Sequence, residues 1–113
     1  MKKLLLLLLL PIFSFAQNCV PTTIVINLDQ YQSETYWTIE DTSGTMLTYG
    51  TNYGSQPDYA SVVEQRCLPE GDLIFTIYDT YGDGLNGALW GGLDGSYYLI
   101  QCNDTLVWGD VPD

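Results

Sequence analysis

Seven short runs of β-branched and aromatic residues, five of them followed at once by glycine or aspartate, limit what this chain can become. They span 22–28, 35–40, 45–49, 59–66, 73–78, 96–101 and 105–108. None repeats its apolar residues at the spacing of an amphipathic helix, and several alternate with a period of two. In the second run Thr35, Trp37 and Ile39 share one side, which predicts a core position for Trp37; Trp108 is expected in the core as well. Within 59–66 the segment Ser61-Val62-Val63-Glu64 also suits a helical turn. Such a series predicts an all-β fold, a single antiparallel β-sandwich of about seven strands, jelly-roll-like or C2/CUB-like.

The first sixteen residues stand outside that pattern. Lys2 and Lys3 precede an apolar run from Leu4, and Ser14-Phe15-Ala16 supplies a small-x-small cleavage site. This is the three-part pattern of a secretory signal peptide over 1–16, with Gln17 the expected mature start. The run is too short for a membrane span and has no basic flank after it. The expected product is a secreted, extracellular protein, with residues 17–113 forming one domain.

Composition then narrows the partners. The mature chain keeps one basic residue, Arg66, against fourteen Asp and Glu, a net charge of −13. Nothing is left to neutralise phosphates, so nucleic acid and anionic membrane surfaces are excluded as direct partners. The chain has no histidine, which removes Ser-His and Cys-His nucleophile chemistry. A pair of carboxylates is enough for glycoside hydrolysis, but a domain this small leaves little room for a substrate cleft, and a catalytic role is not expected.

Strand parity assigns the connections to two poles. If every connection reverses the chain, 29–34, 50–58 and 79–95 lie at one end, and 41–44, 67–71 and 102–104 at the other. The long, glycine-rich, acidic loops gather at one pole and the tight turns at the opposite one. Cys19, Cys67 and Cys102 all fall at the tight-turn pole, and any two of them can meet. In an oxidising compartment one bridge and one spare thiol are expected. Cys19–Cys67 is the favoured pair because it anchors the N-terminus, leaving Cys102 buried, free or available to a second chain.

The loop Asp79-Thr80-Tyr81-Gly82-Asp83-Gly84-Leu85-Asn86-Gly87 leaves the fifth run abruptly. Its glycines permit tight backbone turns that converge carbonyls and carboxylates on one point, the arrangement a hard cation such as Ca²⁺ takes. Asp79, Tyr81, Asp83 and Gly84 hold positions one, three, five and six of an EF-hand-type loop. Tyr81 stands where a ligand oxygen is usual, and Trp90 where the closing Glu would be. Parity brings Asp29 and Glu34 to the same pole. The candidate Ca²⁺ ligands are therefore Asp29, Glu34, Asp79, Asp83, the backbone carbonyl of Leu85 and the side chain of Asn86. The plain alternative is an Asp/Gly turn that caps its own backbone.

Three blocks carry a resemblance. Tyr78 to Gly87 resembles the "D-S-Y-G-D-G-W-N-G" signature of a small β-domain that recurs in secreted modular proteins of bacteria and microbial algae. Leu28 to Trp37 is similar to its "L-D-x-Y-P-x-E-T-S-W" block, and Cys67 to Asp79 to its "C-L-P-x-G-x-Y-x-F-T-I-x-D" block. The resemblance implies a secreted sandwich module of the kind appended to adhesins or hydrolases. Here Leu85 replaces the usual tryptophan.

Tyr31, Tyr53, Tyr81 and Trp90 are the aromatic residues expected at the loop pole. Exposed rings beside carboxylates suit a sugar, since a ring stacks on a pyranose face while acids accept its hydroxyl protons. Together these features predict a non-catalytic binding or adhesion module whose partner is an extracellular glycan or protein. The alternative is a structural subunit of an extracellular assembly, linked through Cys102; a small carboxylate-based hydrolase comes third.

Overall fold

The computed structural model describes residues 19–102 and 104–110. The segment read as a signal peptide lies outside them, and so does the side chain of Trp108. Seven strands form: β1 Cys19–Asn27, β2 Thr35–Asp41, β3 Met46–Gly50, β4 Ser61–Pro69, β5 Leu73–Asp79, β6 Ser96–Gln101 and β7 Asp104–Asp110. They make two sheets, ordered β4-β1-β6-β7 and β3-β2-β5, with every pairing antiparallel. The expected all-β sandwich is the observed one.

Two strand ends differ from expectation for local reasons. β1 begins at Cys19 because residues 19–21 pair with β4 alone, and pairing with β6 starts only at Thr22. Pro21, which has no N–H to give, is tolerated on that one-sided stretch. β4 runs on to Pro69, into a stretch whose proline and glycine read as a turn, because β1 continues opposite it. The helical turn considered for Ser61–Glu64 is not formed.

Alternation decides which side chains meet between the sheets. Ile24, Ile26 and Leu28 of β1 and its extension face Trp37 and Ile39 of β2, with Leu68 and Leu99 closing the cluster. Trp37 is fully buried, as its run predicted. Phe75 packs on it with ring centroids 6.0 Å apart. Removing each such side chain from water contributes about 1.5–3 kcal/mol.

Between the edge strands β3 and β4 a polar seam closes the sandwich. Glu64 and Arg66 pair with Ile24 and Thr22, so the alternation turns both inward. The Trp37 indole N–H donates to the Tyr53 hydroxyl at 2.8 Å, and that hydroxyl donates to the Glu64 carboxylate. Arg66 bridges back to Glu64 at 3.2 Å, donates to Thr48 Oγ1 at 2.8 Å and lies 5.5 Å from the Trp37 ring centroid. Burial, together with the bond to Glu64, raises the Tyr53 hydroxyl's pKa, so it stays protonated and remains a donor. Gly50 passes directly over the indole and the Tyr53 hydroxyl; any Cβ there would collide with both.

Strand direction separates the poles as parity predicts. Loops 28–34, 51–60 and 80–95 lie at one, and each contains a short 3-10 turn, Gln32–Glu34, Tyr53–Ser55 and Gly87–Trp90. At the other pole Asp41 Oδ1 accepts the backbone N–H groups of Ser43 and Thr45 and closes the β2–β3 hairpin. The Cys19–Cys67 disulfide ties β1 to β4 there, with Cα atoms 5.2 Å apart and 48 positions between them in sequence. Closing a loop of that length contributes about 4 kcal/mol in the chain-entropy model. Cys102, in the β6–β7 turn, is unpaired and exposed.

Candidate metal centre

The centre is built at the mouth of the sandwich, where β5 ends and β2 begins. Thr35 and Asp79 are the last pair of that ladder, and the Thr80 N–H donates to the Glu34 carbonyl at 3.0 Å just beyond it. Thr80 Oγ1 contacts the same carbonyl at 3.1 Å. Glu34 and Asp79 are therefore neighbours by strand register, although 45 positions separate them in sequence. Asp79 shares the inward phase of Phe75 and Ile77, which turns its carboxylate toward the gap between the sheets.

The loop that follows folds around that carboxylate. Asp79 Oδ1 accepts the Tyr81 N–H at 3.2 Å, and Oδ2 accepts those of Asp83 and Gly84 at 2.6 and 2.5 Å. Gly82 and Gly84 adopt φ of 78° and 69°, the left-handed backbone that lets the chain curl so tightly. The curl brings Asp83 back over the strand end. One carboxylate oxygen from each of Glu34, Asp79 and Asp83 then lies within 4.8 Å of the others. Two Ca²⁺–oxygen bonds of about 2.4 Å placed end to end span that distance.

Electrostatics follow from the crowding. Burial, a side-chain hydrogen bond with Asp79 and the charges of Asp79, Asp83 and Asp29 push Glu34 up to about 7. Asp29 is also raised, first by burial and then by the charges of Asp79 and Asp83, although the Tyr31 N–H bond to its Oδ1 opposes this. Burial acts upward on Asp79 too, but its contact with the Asp83 side chain and the hydrogen bonds donated by the Tyr81, Gly84 and Asp83 N–H groups hold it below its usual value. Asp79 has committed three of its roughly four lone-pair positions to the backbone, so it orders the loop and offers a cation one more. Glu34 and Asp83 retain more free capacity. All three are oxygen donors, the set that Ca²⁺ selects.

The six residues read from sequence as ligands are placed differently. Glu34, Asp79 and Asp83 converge. Asp29 is buried beside them, near enough to feel two of their charges but outside the 4.8 Å group. The Leu85 side chain is 2% exposed and fills the core, while its carbonyl accepts the Gly95 N–H at 2.8 Å. The Asn86 carbonyl receives the Leu89 N–H at the start of a 3-10 turn.

The aromatic residues divide as well. Tyr81 and Trp90 are 77% and 61% exposed, and Tyr31 40%. Trp90 leans back on the acidic group, its indole N–H donating to Asp83 Oδ2 at 2.8 Å. Tyr53, expected among the exposed rings, is 4% exposed and faces the core through its bonds to Trp37 and Glu64.

Two positioning residues escaped the sequence reading. Gln30 donates from Nε2 to the Gly87 carbonyl at 2.9 Å and presses against the Cα positions of Gly87 and Gly92, where no Cβ would fit. Asp94 Oδ1 accepts the Ala88 N–H at 2.9 Å. Glycines 87, 92 and 95, none with room for a Cβ, were the available signal of such close packing. Comparison of the chain with protein families, with curated proteins and with solved structures finds no match.

Proposed function

We propose that this is a secreted, non-catalytic binding or adhesion module whose loop pole is ordered by Ca²⁺ and takes an extracellular glycan or protein. The observation that carries the reading is the convergence of Glu34 from loop 28–34, Asp79 from the end of β5 and Asp83 from loop 80–95. Carboxylates gathered in this way repel one another unless a proton or a cation sits among them. A Ca²⁺ ion bound by these three would lock loop 28–34 to loop 80–95 and draw further oxygens from water or a ligand. Trp90, exposed and bonded to Asp83, stands at the rim of that site, where a ring supports a sugar face. The resemblance to secreted sandwich modules supports the same reading.

The test is binding of the mature protein to an immobilised panel of glycans and extracellular matrix proteins, in Ca²⁺ and in EDTA. The proposal expects at least one partner retained in Ca²⁺ and released by EDTA, with Trp90→Ala weakening it. A panel bound equally in both conditions, or not at all, counts against a cation-dependent module. Exposed Cys102 favours a second reading, a structural subunit joined through an intermolecular disulfide. Dimers on a non-reducing gel that vanish in Cys102→Ser would select it.

A further inference from the structure

A cavity opens at the tight-turn pole, and the strand count explains its position. Across the sandwich, β3 lies beside β4 in the Arg66 seam, and β2 faces β1 through Trp37 and Ile39. Phe75 of β5 meets Tyr97 of β6 with ring centroids 5.5 Å apart. Four strands oppose three, so β7 has no strand across from it. Beneath that overhang a cavity of about 340 Å³ reaches inward from the β4–β5 turn. Small-molecule sites usually occupy about 300–1,000 Å³.

The floor of the cavity is the core itself. Ile39, Leu68 and Leu99 are 1%, 3% and 5% exposed, yet all three line it. Leu73, Phe75 and the exposed Leu106 line it as well. The inner rows of β1 and β6 end here in a polar pair. Thr22 stands in the phase of Ile24 and Ile26, Gln101 in that of Leu99, and the two are register partners. Gln101 Nε2 donates to Thr22 Oγ1 at 2.7 Å, and that hydroxyl donates to the Val20 carbonyl at 3.2 Å. The hydroxyl proton is therefore committed, and the amide is held with its Oε1 unused by any hydrogen bond among the described residues. Asp72, in the exposed β4–β5 turn, adds a carboxylate to the lining, and no lysine or arginine joins it.

These groups select the occupant. An apolar floor takes a hydrocarbon body. The free polar capacity beside it, an amide oxygen and a carboxylate, takes a donor, and the carboxylate favours a charged one. Residues 17–113 carry a net charge of −13, which draws a cation in and turns a fatty acid or a phosphate away. A sugar would leave several hydroxyls unpaired against leucine. A cavity of about 150 Å³ holds one benzene ring, so this one has room for a ring and a chain of about four carbons. Phe75 in the wall gives such a ring an aromatic neighbour.

We propose that the cavity under β7 is a binding site for a small arylalkylamine, its ring among Phe75, Leu99 and Leu106 and its ammonium donating to Asp72 and Gln101 Oε1. The site lies at the pole opposite the acidic loops, needs no metal ion and does not rest on the loop-pole reading. The matched series 4-phenylbutylamine, 4-phenylbutanol and 4-phenylbutyrate tests it, each titrated into the mature protein and followed by NMR of the leucine methyls. The amine should saturate and shift the methyls of Leu73, Leu99 and Leu106, equally in Ca²⁺ and in EDTA. It should bind about tenfold tighter than the alcohol, as one charge-assisted hydrogen bond implies, and the carboxylate should bind weakest. Asp72→Asn, in an exposed turn, should erase the preference for amine over alcohol, whereas Asp83→Ala at the other pole should keep it. If Asp72→Asn fails to fold, Leu106→Trp decides: on the overhanging strand it should fill the cavity and abolish binding. No saturation at millimolar amine, a carboxylate bound as tightly as the amine, or methyl shifts confined to the loop pole would each overturn the proposal. So would an undiminished preference in folded Asp72→Asn, or full binding by folded Leu106→Trp.

Discussion

Glu34 is the residue at which the acidic pole should declare itself in solution. Its folded pKa of about 7 stands above the ordinary value of 4.5. Without a cation, the folded state keeps this proton after the unfolded chain has lost it, so stability must fall as pH rises between those values and level off above them. The lowered pKa of Asp79 acts below the ordinary aspartate value of 3.8, outside that window. The expected outcome is a melting temperature in EDTA that declines from about pH 4.5 to about pH 7, with a shallower decline in Glu34→Gln. A flat profile for the wild type would remove the crowded carboxylates from the account. At this scale the sequence was partly legible. Strand parity alone brought Glu34 to Asp79 and Asp83, because their proximity is a matter of direction and register. It could not show that Leu85 and Tyr53 turn inward, since that depends on the path each loop takes across the open end of the sandwich.

Individual elements show where local propensity stops being informative. The strands were legible because their β-branched and aromatic runs match a period of two. The three 3-10 turns were not, being too short to carry a period of their own. The turn Tyr53–Ser55 shows what such an element does. It carries Tyr53 into the gap between the edge strands, where the hydroxyl links Trp37 of β2 to Glu64 of β4. Tyr53→Phe would strand both the indole N–H and a partly buried carboxylate. It should lower unfolding free energy by about 1–3 kcal/mol, read from urea denaturation with an unchanged m-value. A loss under about 0.5 kcal/mol would mean that the seam is only a surface network. Arg66 belongs to the same seam. Its guanidinium closes an edge of the sandwich, which explains an isolated basic residue in an acidic chain without assigning it to a ligand.

The molecule as a whole is organised by its polarity. Tight turns and the Cys19–Cys67 bridge fix one pole, and the long acidic loops gather at the other. Residues 17–113 carry a net charge of −13, which works against compaction, so a cation cross-linking two of those loops would have an energetic role as well as the proposed recognition role. Calorimetric melting of the mature protein in Ca²⁺ and in EDTA tests this most directly. At a Ca²⁺ concentration about 100 times Kd, binding to the folded state alone contributes about 2.7 kcal/mol, roughly 10 °C or more for a domain of this length. Asp83→Ala and Asp79→Asn should lose the shift, whereas Asp104→Ala at the opposite pole should keep it. A wild-type midpoint that does not move at millimolar Ca²⁺ would contradict the claim that these carboxylates are a metal centre.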